Sequence, residues 1–92
     1  MQVTTFPDGN KYQGDMNNGL NGQGRLWMVK EGNKYLGNFK NNLANGQGTF
    51  FHADGSVHKG NFVNWQFTGQ GEYWGPRGGG YRKGRFDNWQ LV

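Results

Sequence analysis

The sequence predicts an all-β chain, a meander of short antiparallel strands, and three observations predict it. Gly-Gln-Gly recurs at 22–24, 46–48 and 69–71. Gly14, Gly37 and Gly60 fall 23 residues apart, Gly84 follows 24 later, and Met16, Phe39, Phe62 and Phe86 keep the same step. Near these markers, as in Tyr35-Leu36-Gly37-Asn38-Phe39, rings occupy alternate positions, which is strand periodicity. A fixed period of this length signals a repeat architecture. Such arrays usually offer a long surface to a partner instead of enclosing a reaction chamber. No helical periodicity of convincing length interrupts the pattern.

Taken in order, the chain opens with a half unit, residues 1–8, running into Phe6-Pro7-Asp8-Gly9. Three repeats follow at about 9–31, 32–54 and 55–77, and a half unit, 78–92, closes a single domain. The first repeat goes out through Tyr12-Gln13-Gly14-Asp15-Met16 and turns at Asn17-Asn18-Gly19. The second goes out through Tyr35 to Lys40, turns in the Asn-rich stretch Asn41 to Asn45, and returns through Gly46-Gln47-Gly48-Thr49-Phe50. Asn tolerates the left-handed backbone such a turn requires. Asp54-Gly55 then marks a tight turn into the third repeat, which runs His58 to Phe62 and returns through Gly69 to Trp74. The last half unit is Arg82-Lys83-Gly84-Arg85-Phe86. Each repeat is one hairpin, giving about seven or eight strands.

Composition limits the core. Apolar residues make up only 33%, but fifteen residues are Phe, Trp or Tyr, so the apolar area is concentrated in large rings. Each ring buries roughly 150–250 Å². Ordering the chain costs roughly 1.5 kcal/mol per residue, which a thin core barely offsets. Cysteine is absent, which removes disulfides and thiolate chemistry. No apolar run reaches the ~18 residues of a membrane span. The first residues lack the basic and apolar regions of an export signal. The chain therefore reads as soluble and cytoplasmic, with a mild net charge of +4.

Glycine normally weakens a strand, so its regular placement needs a reason. If Gly37 faces Gly48, then Tyr35 faces Phe50 and Phe39 faces Gly46, and a ring can lie flat over neighbouring glycine backbone. One face then carries Tyr12, Met16, Leu26, Tyr35, Phe39, Phe50, His58, Phe62, Tyr73 and Phe86. The other carries Trp27, Phe51 and Trp74 beside Gln23, Gln47 and Gln70.

Tyr35-Leu36-Gly37-Asn38-Phe39-Lys40-Asn41 followed by Gly46-Gln47-Gly48-Thr49-Phe50 resembles the MORN (membrane occupation and recognition nexus) repeat. That family's pattern is Tyr-x-Gly-x-aromatic, an Asn-Gly-type turn, then Gly-x-Gly-x-aromatic. Phe6-Pro7-Asp8-Gly9-Asn10-Lys11-Tyr12 resembles its joint between repeats, and the likeness covers nearly the whole chain. Departures are Met16 for the aromatic, His58 and Arg82 for the Tyr, and Trp65 and Trp89 for the turn glycine. The resemblance implies a single-layer, twisted antiparallel sheet of tandem MORN-type hairpins, open at both edges, with a concave aromatic groove. It also implies a protein-binding scaffold that frequently self-associates.

The expected groove residues are Tyr12, Tyr35, Phe39, Phe50, His58, Phe62, Tyr73 and Phe86. A helix or extended segment of another protein would lie there, or the rings would simply pack on one another. Trp27, Phe51, Trp74, Trp65, Trp89 and Leu91 are expected at the second face or in a homodimer contact, since open strand edges invite pairing. Arg77, Arg82, Lys83 and Arg85 would meet an acidic partner or, weakly, anionic phospholipid. Carbohydrate binding on aromatic platforms is a third reading, and nucleic acid is not expected. His52 and His58 with Asp54 have a spacing zinc can use. Repeat positions already account for His58 and Asp54, so no metal or cofactor is expected. With six carboxylates and no Ser or Cys paired with a base, an enzyme is not expected either.

Overall fold

The computed structural model describes residues 3–92. It is one antiparallel sheet of nine strands whose spatial order is their chain order. Seven of these are full strands: β2 (Lys11–Met16), β3 (Leu20–Met28), β4 (Asn33–Lys40), β5 (Leu43–Phe51), β6 (Val57–Val63), β7 (Gln66–Trp74) and β8 (Tyr81–Asp87). The extra count comes from two short edge pieces, β1 (Thr4–Thr5) and β9 (Gln90–Leu91). A single 3₁₀ turn at Pro76–Gly78 interrupts the strands among the described residues.

Glycine faces glycine in every long pairing: Gly14 with Gly24, Gly37 with Gly48, Gly60 with Gly71. Between hairpins the same row continues through Gly24 with Gly37, Gly48 with Gly60 and Gly71 with Gly84. The absence of side chains there is a packing requirement. A Cβ on Gly48 would collide with the Tyr35 ring, whose hydroxyl passes over it to donate a 2.9 Å hydrogen bond to the Asn38 carbonyl. Tyr12 does the same over Gly24, donating to the Asp15 carbonyl at 2.7 Å. Burial pushes the Tyr35 hydroxyl up to about 12, so it remains a donor.

One expected pairing is corrected. Tyr35 does face Phe50 and Gly37 does face Gly48, but Phe39 faces Ala44, not Gly46. The register shifts between Gly37 and Phe39, because β5 fits two more residues between Ala44 and Gly48 than β4 does opposite them. The ring is still matched with a glycine, but one in the adjacent hairpin: Phe39 with Gly22, Phe62 with Gly46, Phe86 with Gly69.

The hairpin turns are tighter than the Asn-rich stretch suggests. Leu43 and Ala44 already belong to β5, leaving Asn41 (φ 51°) and Asn42 (φ 70°) as the turn residues. Both in the left-handed region is the type I′ signature that matches strand twist. Asn64–Trp65 (φ 48° and 71°) and Asn88–Trp89 (φ 48° and 74°) repeat it. Each turn is tied to the hairpin before it. Asn42 donates its backbone N–H to Leu20, Trp65 to Ala44 and Trp89 to Phe67. At the opposite end of the sheet the joints also repeat, with Gly9 donating to Phe6 and Gly55 to His52.

Candidate functional site

Strand alternation divides the side chains between two faces with different character. The first is the ring face. Tyr12, Tyr35, Phe39, Phe50, Phe62, Phe67 and Phe86 are all no more than 7% exposed there. The rings meet edge to face: Tyr35 lies 5.1 Å from Phe39, 5.0 Å from Phe62 and 5.3 Å from Trp65 between centroids. Such pairs contribute about 0.5–1.5 kcal/mol each beyond their buried area. Met16, expected with them, is 51% exposed, because β1 pairs only with Tyr12 and Lys11 and stops short of it.

Trp65 and Trp89 belong to this face, not the second. Trp65 rests on Tyr35, Phe39 and Phe50, all in the preceding hairpin. Trp89 rests on Phe50, His58, Phe62 and Phe67. A left-handed backbone costs an L-residue about 1–2 kcal/mol, and ring contacts of this number offset it. The two tryptophans therefore fill the space above the rings. Leu91 also comes to the ring face, opposite Phe86 in the pairing of β8 with β9.

The filling ends at the C-terminal side. His58, Tyr73, Arg82, Phe86, Trp89 and Leu91 border an open hollow of about 320 Å³. His52 and His58 meet beneath Trp89, with Nε2 of one 2.8 Å from Nδ1 of the other. That bond requires one ring to donate and the other to accept, so the accepting ring is neutral and the two cannot both be protonated. Burial, reinforced by the His52 charge, holds His58 down at about 4, and burial lowers His52 too. Asp54 does not join them: its Oδ1 accepts from the Ser56 N–H and hydroxyl.

The second face is polar, with a band of rings at one end. Across the strands, Trp27 faces Lys34, Lys34 faces Phe51, Phe51 faces Val57, and Trp74 faces both Val57 and Tyr81. The Lys34 ammonium sits 4.7 Å from the Phe51 ring centroid. Beside this band an open cleft of about 800 Å³ crosses β2 to β6. The glycine pairs Gly14–Gly24 and Gly37–Gly48 form its floor, and Gln13, Gln23, Asn38 and Gln47 are among its walls.

The structure thus gathers His58, Tyr73 and Phe86 around the hollow and packs Tyr12, Tyr35, Phe39, Phe50 and Phe62 into the core. Trp27, Phe51 and Trp74 share one face as expected. The four basic residues do not share a surface: Arg77 is in the 3₁₀ turn, Arg82 borders the hollow, and Lys83 and Arg85 stand on the second face. Phe67 was missed by sequence reasoning, although it is fully buried. Its place after the turn is held by Leu20 and Ala44 in earlier repeats, so no ring pattern announced it. No helix among the described residues is long and apolar enough to cross a membrane.

None of the curated proteins compared matches the chain. The family model of the MORN repeat matches residues 12–30 and 35–57. Those are the first hairpin and the second with its joint, and the third hairpin repeats their glycine pairing and turn geometry beyond the match. With one motif, one register and one turn type shared along the sheet, this chain belongs to the MORN repeat family.

Proposed function

We propose that the chain is a non-enzymatic interaction module that takes a segment of another protein against its sheet, as adaptor, scaffold or inhibitor. The observation that carries this reading is the cleft of about 800 Å³ on the face opposite the rings. Its five strands, about 4.8 Å apart, make a trough of roughly 20 Å, the length of about six extended residues. The walls offer amide groups that can donate and accept to a peptide backbone, and the glycine floor lets that backbone approach closely.

Selection of displayed peptides against the immobilised chain tests this. Enriched peptides are expected to lose about tenfold or more in affinity, or about 1.4 kcal/mol, to Gln47→Trp, which plugs the cleft. Tyr73→Ala at the hollow should leave them unaffected, with circular dichroism recording the fold of both variants. Binding that ignores Gln47→Trp and falls with Tyr73→Ala would move the segment to the aromatic side. A library that yields no binder would remove the segment-binding reading.

Self-association is a second reading with its own observation. The outer side of β8 pairs with β9 only at Phe86 and Asp87, leaving Tyr81 to Lys83 without a strand partner among the described residues. Light scattering across concentration would reveal pairing there, and Lys83→Pro should abolish it by removing an N–H that strand alternation turns to the outer edge, on the side where Arg85 accepts from Val92.

A further inference from the structure

Which class of segment suits the cleft follows from where the chain's charge sits. By strand alternation Lys11, Lys34 and Lys40 project on the second face, as do Arg25, Lys59, Lys83 and Arg85. Against them stand Asp15, Glu72 and Asp87. The charges elsewhere cancel, with Lys30, Arg77 and Arg82 opposed by Asp8, Glu31 and Asp54. The whole excess of +4 therefore lies on one side of a single-layer sheet. Two of that side's acids are already engaged. Asp15 accepts the Gln23 N–H at 3.0 Å, and Glu72 accepts the Tyr81 hydroxyl at 2.7 Å. Arg25 and Lys59 stand in the cleft wall itself, outnumbering the one acid that lines it, Asp15, and Lys34 lies in the adjoining ring band.

We infer that the partner segment is acidic and carries apolar side chains at alternate positions, an inference that rests on the interaction-module reading above. Its carboxylates meet Arg25 and Lys59 at the cleft wall. Its apolar side chains lie against Trp27, Phe51 and Trp74, half-buried rings on the same face. A low-dielectric sheet whose face carries a net positive charge steers an anionic chain toward it and disfavours a basic one.

The test uses three synthetic peptides that alternate Leu with Glu, with Gln or with Lys, each labelled and titrated with the whole chain by fluorescence anisotropy. The Glu peptide is expected to bind about tenfold or more tighter than the Gln peptide at low salt, an advantage that high salt removes. Arg25→Glu with Lys59→Glu should erase the preference, whereas Arg77→Glu, in the joint, should not. Equal binding of the Glu and Gln peptides overturns the acidic assignment and leaves segment binding standing. So does failure of all three when displayed peptides do bind. Tighter binding to polythymidine or to phosphatidylserine vesicles than to the Glu peptide also overturns it, in favour of another polyanion.

Discussion

In the second hairpin Tyr35, on the outgoing strand, lies across Gly37 and Gly48, and the position opposite Phe39 holds only Ala44. The third hairpin has the same backbone with the ring supplied from the other side. His58 stands where Tyr35 does, and Phe67, on the returning strand opposite Phe62, lies across Gly60 and Gly71. The large residue has changed strands and the small one has changed with it. What the repeat conserves within this chain is a paired glycine under one ring, not the position from which the ring comes. This explains why a departure from the Tyr-x-Gly pattern leaves register and turn intact.

The comparison is broken most directly by deletion. Tyr35 and Phe67 are both fully buried, so Tyr35→Ala and Phe67→Ala should each cost about 3–5 kcal/mol in denaturant unfolding. That is a large part of the stability of a domain this size. If Phe67→Ala costs much less than Tyr35→Ala, the two rings are not equivalent and the third hairpin is held by Trp89 instead.

Exchange of the two residues sharpens it. His58→Tyr alone should destabilise by about 1–3 kcal/mol, because its ring would enter space Phe67 occupies. In the Phe67→Ala background the same change should recover about 1–3 kcal/mol, by recreating the second hairpin's arrangement. A double-mutant cycle without coupling would mean that the two positions do not share one space.

How much of this was readable beforehand follows from the same residues. The period, the glycine pairing and the division of Tyr35, Phe39, Trp27 and Phe51 between faces are local consequences of alternation, so the sequence displayed them. Phe67 was not legible because its role depends on the space His58 leaves empty across the sheet. Trp65 and Trp89 were misplaced because side-chain alternation says nothing of a turn residue, and only the left-handed backbone points them back over the preceding rings. The cleft was hidden for a related reason. It is bounded by polar residues on five strands, and only register brings Gln23 beside Asn38 and sets Arg25 and Lys59 in one row across the sheet, with β4 and β5 between them.

The smallest effect separates the hairpins by pH. Tyr35 does not titrate in the neutral or acid range, but His58 does, and the folded state holds it at about 4 against an ordinary 6.5. Between those values the unfolded chain binds a proton that the folded chain refuses, so stability falls as pH drops from about 6.5 toward 4 and then levels for this group. His52 is lowered too and acts in the same direction. Around the pair, Asp54 opposes the shift, whereas the Arg82 side chain across the hollow adds positive charge. His58 borders that open hollow, so water screens it and the loss should be about 1 kcal/mol. For a domain of this size that lowers Tm by about 4–8 °C. Thermal melts followed by circular dichroism at pH values across this window check it. The His58→Tyr, Phe67→Ala double variant, with a tyrosine now in both hairpins and no histidine pair, should lose most of the dependence. A melt curve equally acid-sensitive in that variant would place the proton elsewhere and leave the His52–His58 contact without a role in stability.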